Sequence, residues 1–399
     1  MNIISERVSR LAASATLMMS QRASEMKAEG IDVINLSIGE PDFPTPSHIS
    51  EAAKTAIDNG MTHYTPIDGL LQLREAICSK MKRENHVNYS PNQIVVSGGA
   101  KQALCNAVLA LVNEGDEVLI PTPAWVSYPQ MVLLSGGKPI TLTTTAENNY
   151  KLSPEQLQHA ITSKTKLLIL CSPSNPTGSV YSKSELQSLA EVLRQHPEVL
   201  VISDEIYEHI RYTTEPHYSL AQEEDLRERI IVINGVSKAY AMTGWRIGWL
   251  AATEQIAKAC KKLQGQYTSC PSSVSQMAAI AALGGSQQCV EDMRRVFEKR
   301  RNLVLDLASE LADVRFTHPE GAFYLMLDLS AYIGKCFKGK TMENSFALTM
   351  YLLEEAHVTL VDGEAFFSPG TVRLSYAASE QEIKEAFRRI KEGLKKLEG

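Results

Sequence analysis

Residues 199–207 read VLVISDEIY, an apolar run followed directly by two acidic residues and a tyrosine. Its first four residues are apolar and do not alternate with polar ones, which is typical of a strand buried on both faces of a parallel sheet. Ligands of such sheets bind beyond the carboxyl ends of the strands. Asp204 and Tyr207 follow the predicted strand and are therefore candidate site residues, although a lone Asp in this place more often caps a helix or forms an ion pair.

Similar apolar runs recur along the chain, at 93–96, 117–120, 167–170 and 230–233. Amphipathic segments such as 100–111 and 183–195 separate them, and Ser182 with Glu185 forms a capping box at the start of the second. This alternation predicts an α/β domain with a mainly parallel central sheet flanked by helices.

The pattern changes after about residue 285, where a charged helix, two strands and a closing helix are predicted at 291–311, 322–329, 371–376 and 381–397. We therefore predict two unequal domains. The large domain spans 46–285, and a smaller α+β domain is built from both chain ends, 1–45 and 286–399.

The composition is that of an ordinary globular protein. With 399 residues, of which 44% are hydrophobic and 22% charged, the chain can bury a large core without disulfides. A net charge of −6 gives no attraction to nucleic acid or to an anionic membrane, and the uncharged run at 118–137 contains three prolines and is no membrane helix. The cysteines and histidines show no metal-ligand spacing, so we expect no metal, reduced thiols and a cytoplasmic location.

Three further motifs lie at the ends of predicted strands. Lys238 follows the strand at 230–234, NPTG at 175–178 follows the strand at 167–171, and SGGAK at 97–101 joins a strand to a helix. Each motif alone has an ordinary explanation: a solvated lysine, a turn, or a tight loop. Because parallel strands end at one edge of the sheet, the motifs are expected to meet there.

Together these motifs suit one cofactor, pyridoxal 5′-phosphate. It requires a Lys for a Schiff base and an acidic partner for its ring nitrogen. Its phosphate favours a helix N-terminus and a cation. No G-x-G-x-x-G follows any predicted strand, which disfavours a nucleotide-binding Rossmann enzyme.

Over essentially its whole length the sequence resembles the fold-type I pyridoxal-phosphate aminotransferases of class I/II. The most specific segments are SNPTG at 174–178, SDEIY at 203–207, SK at 237–238 and MTGWRIG at 242–248. Within that group it is most similar to bacterial aspartate aminotransferases, some of which also act on prephenate. The segments that support this are LSIGEPDF at 36–43, HYTP at 63–66, SGGAKQ at 97–102 and PAWVSY at 123–128.

The resemblance implies a role for each catalytic residue. Lys238 holds the cofactor as an internal aldimine and then moves the substrate proton, through a quinonoid intermediate. Asp204 pairs with the ring nitrogen, while Tyr207 and Asn175 bind the phenolic oxygen. Trp125 stacks on the cofactor ring and also contacts substrate.

The resemblance also implies the phosphate and substrate contacts. The phosphate site comprises Gly99, Ala100, Lys101, Ser237 and Arg246, with Tyr64 from a neighbouring subunit, which implies a homodimer with shared active sites. The α-carboxylate of the substrate is bound by Arg373, with help from Gly39 and Asn175. The side-chain carboxylate is bound by Ser14, Thr16 and Lys101.

We therefore expect ping-pong transamination of L-aspartate and 2-oxoglutarate to oxaloacetate and L-glutamate. Members that accept prephenate usually carry a basic residue and a proline where this chain has Ala12 and Ala13, so prephenate activity is expected to be weak or absent. Alternatives are an aminotransferase with another substrate (prephenate, aromatic or alanine-like), a β-eliminating lyase on the same fold, and a non-catalytic cofactor-binding protein.

Overall fold

A seven-stranded sheet forms the centre of the protein. The structure, a computed structural model, describes residues 3–12 and 15–398, with side chains at all of these except 15–17. In chain order the strands are β1 Ile94–Ser97, β2 Glu117–Thr122, β3 Lys138–Thr143, β4 Thr165–Cys171, β5 Leu200–Asp204, β6 Ile230–Gly235 and β7 Gly248–Ala251. Their order across the sheet is β1-β7-β6-β5-β4-β2-β3. β7 is antiparallel to both of its neighbours, β1 and β6, and the other neighbouring pairs are parallel, which confirms the predicted mainly parallel sheet.

Helices cover both faces of this sheet because its strands are apolar on both faces. Leu168 and Val201 pack into one apolar cluster, and their chain neighbours Ile169 and Ile202 pack into a second. The helices of the described chain are Glu6–Ser9, Ala15–Ala28, Ser47–Asp58, Leu71–Glu84, Ala100–Leu111, Ser127–Ser135, Pro154–Ala160, Lys183–Arg194, Glu254–Tyr267, Ser273–Gly284, Gln288–Ser309, Ser345–Ala356 and Glu380–Lys395. The capping box at Ser182 is confirmed, because its hydroxyl accepts from the N–H of Glu185.

Residues from both chain ends share further packing. A four-stranded antiparallel sheet has the order Val361–Asp362, Thr371–Ser375, Tyr324–Asp328, Arg315–Phe316. Strand Ile34–Asn35 pairs in parallel with Val358–Thr359, and Leu36 belongs to the same apolar cluster as Leu374. The domain boundaries at residues 45 and 285 stay a prediction.

Two strands of the central sheet were not predicted from the sequence. Strand β3 is an edge strand in which no residue is fully buried, so Lys, Pro and Thr interrupt the apolar pattern typical of an inner strand. Strand β7 has only four residues and begins at Gly248, the last residue of the MTGWRIG motif, so its apolar run is too short to indicate a buried strand. Among the described residues, no helix combines the length and the apolar character that crossing a membrane requires.

Candidate active site

A cavity of about 300 Å³ lies at the carboxyl ends of the parallel strands. Trp125 follows β2, Asn175 follows β4, Asp204 ends β5 and Lys238 follows β6, so the sheet topology brings together residues that are far apart in sequence. The other predicted site residues that line this cavity are Gly39, Ala100, Lys101, Tyr207, Ser237, Arg246 and Arg373.

Lys238 combines burial with nucleophilic potential. Its ammonium donates a 2.6 Å hydrogen bond to the carbonyl of Gly39. Burial lowers the pKa of Lys238 to about 8. A larger fraction of this amine than of a solvated lysine is therefore neutral, and so able to attack a carbonyl or accept a proton, near neutral pH.

Asp204 is a buried carboxylate that lacks a cation partner among the described residues. The hydroxyl of Tyr128 donates to its Oδ2 at 2.7 Å, and the N–H of Ile206 donates to its Oδ1 at 3.3 Å. Burial nevertheless raises the pKa of Asp204 to about 6. Such a carboxylate is stabilised when a ligand brings a cationic N–H into the cavity.

Arg373 is a buried guanidinium whose contacts leave it open to an anion. It is 2% exposed and donates to the side-chain oxygen of Asn175 at 2.8 Å and to the carbonyl of Ser37 at 2.7 Å. Its charged plane also lies 4.5 Å from the ring centre of Tyr324. Its Nε has no hydrogen-bond partner in the described structure. A carboxylate would satisfy both this donor and the uncompensated charge.

The N-terminus of helix Ala100–Leu111 forms one wall of the cavity. Gly99 precedes it with a φ of +94°, which favours glycine, and a Cβ at this position would collide with the guanidinium of Arg246. Arg246 is held by the carbonyls of Gly98 and Thr243 at 3.2 and 3.0 Å. The first N–H groups of a helix have no partner within it, so this wall suits an anion.

The charge of the cavity lining is strongly positive. Lys101, Lys238, Arg246 and Arg373 all line it, against Asp204 as the acidic lining residue. Burial lowers the pKa of Lys101, and Arg246 lowers it further. This excess of positive charge favours a ligand or ligand pair that carries several negative charges.

Comparison with known proteins agrees with this geometry. The family model "Aminotransferase class I and II" matches residues 31–390. The chain belongs to the aminotransferase class I and II family. It is 48% identical over 393 residues to the "Probable aspartate/prephenate aminotransferase" of Rickettsia prowazekii (strain Madrid E), an alignment that covers 98% of each chain.

Solved structures give the same result for the fold. The aspartate aminotransferase from Rhizobium meliloti superposes with a TM-score of 0.95 at 43% identity and 99% coverage of both chains. The Thermus thermophilus aspartate aminotransferase with maleate superposes with a TM-score of 0.92 at 38% identity, covering 98% of this chain and 100% of that one. The predicted fold type and aminotransferase activity are thereby confirmed.

Tyr128 and Tyr324 line the cavity of this aminotransferase but were not predicted from the sequence as site residues. Tyr128 lies three residues after Trp125, and its ring contacts the Trp125 ring edge-on at 5.4 Å. The short spacing from Trp125, at the start of helix Ser127–Ser135, could have identified Tyr128 from the sequence. Tyr324, whose hydroxyl is 2.8 Å from that of Tyr207, lies within a strand of the chain-end sheet, where nothing in the local sequence distinguishes it from a core residue.

Other predicted site residues of the aminotransferase lie outside this cavity. Tyr64 is 91% exposed and does not line it. Ser14, Ala13 and the side chain of Thr16 fall outside the described residues, so their predicted roles are not located. Ala12 is exposed, and its N–H donates to the side chain of Gln130 at 2.8 Å.

Proposed function

We propose that this aminotransferase uses pyridoxal 5′-phosphate to convert L-aspartate and 2-oxoglutarate to oxaloacetate and L-glutamate by a ping-pong mechanism. The observation that carries the proposal is the meeting of Lys238, Asp204 and Arg373 in one cavity. Both solved relatives are aspartate aminotransferases, and the Thermus thermophilus enzyme was solved with maleate, a dicarboxylate. A dicarboxylic substrate agrees with the positive lining.

The residues of the cavity fit this cofactor. Lys238 supplies the amine for covalent attachment, and Asp204 supplies the acid that a protonated ring nitrogen requires. Tyr207 and Asn175 would bind the phenolic oxygen, and Trp125 offers an aromatic plane. The phosphate would be held by Gly99, Ala100, Lys101, Ser237 and Arg246. When bound, pyridoxal phosphate supplies an electron sink for the pair left at Cα after proton loss.

The protein groups then have separate tasks. The amine of Lys238 accepts the substrate Cα proton and would deliver it to the cofactor carbon that keeps the amino nitrogen, for which the lowered pKa suits it near neutral pH. Arg373 fixes the α-carboxylate and so orients the Cα–H bond toward that amine. A Cβ at position 39 would come within 2.6 Å of the Tyr324 hydroxyl. Because Gly39 has no side chain, its backbone can lie this close to the site. Lys101 would receive the side-chain carboxylate, together with Ser14 and Thr16.

We also propose a homodimer in the cytoplasm. The exposed Tyr64 would then reach the phosphate site of the partner subunit, as the resemblance implies. All seven cysteines are free thiols, which supports a reducing compartment.

Arg373→Lys is expected to lower kcat/KM for aspartate by roughly 10²-fold, mainly through KM. A lysine keeps the charge but loses the two-pronged guanidinium, and its ammonium lacks the geometry to bind Asn175 and a carboxylate together. Steady-state kinetics with aspartate measures this. Arg315→Lys, at an exposed arginine paired with Asp328, is the control and should be neutral. Equal kcat/KM in the Arg373→Lys variant and the wild type would exclude the assigned role.

An acceptor panel tests the proposed substrates. With aspartate as donor, 2-oxoglutarate is expected to give rapid oxaloacetate formation. Pyruvate and ammonia from a sulfur amino acid, without any acceptor, would instead indicate the lyase.

Prephenate is the second candidate acceptor, because the Rickettsia relative carries it in its name. Leu11 lines a groove with Lys101 and Gln130, and the adjacent Ala12 adds no charge to it. We expect Ala12→Arg to raise kcat/KM for prephenate by up to about fivefold, the value of one exposed ion pair, with Ala12→Gln unchanged. Wild-type efficiency with prephenate equal to that with 2-oxoglutarate would contradict the expectation of weak activity.

A further inference from the structure

The segment that follows β5 has two functional faces. Asp204 and Tyr207 line the active-site cavity. Glu205 and Glu208, which alternate with them along the chain, are 1% and 6% exposed and bind a different set of groups. Carboxylates of this kind are rarely buried without a complete set of donors.

Glu208 is the centre of one buried polar network. It accepts from the ammonium of Lys80, from the side-chain amide of Asn85 at 2.7 Å and from that of Asn234 at 2.6 Å. Lys80 is itself only 1% exposed and also donates to Asn85 at 2.8 Å. Burial alone would raise the pKa of Glu208, but the charge of Lys80 holds it below its ordinary value. The network joins the segment to helix Leu71–Glu84 and to strand β6.

Glu205 is held in a similar way. Its Oε1 accepts from the hydroxyls of Ser203 at 2.9 Å and Ser219 at 2.7 Å, and its Oε2 lies 3.0 Å from a ring nitrogen of His217. Both carboxylates thus form hydrogen bonds with side chains that do not line the active-site cavity.

A metal ion is a poor occupant of this region. Glu84, Glu208 and His209 have ligand atoms close enough to share one, as do Glu205, Glu208 and His217. However, the oxygens of Glu208 already accept from an ammonium and two amides. An ion at Glu208 would have to displace the buried Lys80, whose charge would then have lost its main partner.

We propose that Glu205 and Glu208 are positioning residues for transamination. They fix the turn that carries Asp204 and Tyr207 on the side facing away from the cavity. The carboxylate of Asp204 and the phenol of Tyr207 therefore stay directed into the cavity. This inference rests on the proposed function, since it requires the roles given there to Asp204 and Tyr207.

The hydrogen bonds of Glu205 and Glu208 are needed because the side chains on the cavity side of the turn have few hydrogen bonds of their own. On the cavity side Asp204 has the Tyr128 hydroxyl, and Tyr207 has the Tyr324 hydroxyl. Because the two functional side chains are three residues apart, a shift of the segment moves both. A displacement on the order of 1 Å can cost about 10²-fold in rate.

Glu208→Gln in the holoenzyme tests the proposal. The amide keeps the size of the carboxylate but faces Lys80 and two amides with only one accepting oxygen. We expect kcat for aspartate to fall on the order of 10- to 100-fold, with KM changed less than about threefold because Arg373 lies on another element. We also expect the pH midpoint of the visible absorbance of the holoenzyme to shift by about 0.5 unit or more.

Glu223→Gln is the matched control. Glu223 accepts from Arg194 and Gln187 at 2.7 and 3.2 Å and from the Tyr218 hydroxyl, and it does not line the cavity. This variant should lower the melting temperature and leave the absorbance midpoint and kcat unchanged. If Glu208→Gln fails to fold, Asn85→Ala removes one donor and keeps the ion pair, and should shift the midpoint and kcat in the same direction by less.

The outcomes separate the inference from the function on which it rests. If Glu208→Gln, or Asn85→Ala in its place, loses stability but keeps the wild-type midpoint and kcat, as the control does, the positioning role is overturned. If the wild-type holoenzyme shows no visible absorbance and no aspartate activity, the proposed function is wrong, and the positioning role that depends on it is wrong as well.

Discussion

Lys238→Ala is expected to lower kcat for aspartate transamination by on the order of 10⁴-fold. The variant loses both the covalent anchor of the cofactor and the group that moves the Cα proton. In the structure this amine is within 2.6 Å of the Gly39 carbonyl and has a pKa lowered by burial to about 8, so it is prepared for both tasks. Single-turnover kinetics with aspartate measures the loss.

Two further variants separate chemistry from charge. Lys238→Arg keeps a cation in the cavity but offers no nucleophile near neutral pH, so it should be as inactive as the Ala variant. Lys101→Ala removes the other lysine that lines the cavity. Reduction of this variant with borohydride should still attach the cofactor permanently to the side chain at position 238. A Lys238→Ala protein that transaminates within tenfold of the wild type would refute the assignment.

The sequence predicted the structure well where a feature depends on a single strand or helix. Uniformly apolar runs fixed the buried strands, and the capping box at Ser182 gave the start of a helix. Polar residues directly after those runs were expected at one edge because parallel strands share it, and the structure places Asp204, Asn175 and Lys238 together there. Local patterns were enough for these positions.

The sequence was uninformative where a contact joins distant elements. Tyr324 reaches Tyr207 only through the packing of the chain-end sheet against the segment after β5, and its own strand is apolar on both sides. The network around Glu208 likewise combines residues 80, 85, 208 and 234, whose spacing has no periodic signal. The edge strand β3 was missed because solvent exposure removes the apolar pattern.

Asp204→Asn is expected to lower kcat by about 10³-fold with a smaller effect on KM. The amide has the shape of the carboxylate and can still accept from Tyr128, but it has no charge to keep a ring nitrogen protonated. The electron sink at the substrate Cα is therefore weaker. Steady-state kinetics measures this, and Tyr128→Phe is the control: it keeps the charge, removes the 2.7 Å hydrogen bond and should cost about tenfold.

The cofactor-free protein gives an independent test of the same residue. Burial raises the pKa of Asp204 from 3.8 to about 6, so between these pH values the folded protein holds a proton that the unfolded chain has released. Unfolding then releases a proton, and the free energy of unfolding should fall by a few kcal/mol as the pH rises from about 4 to 6. Asp204→Asn should remove this part of the pH dependence in denaturant titrations. An identical pH profile in the two proteins would show that the carboxylate is not buried in the way the structure describes.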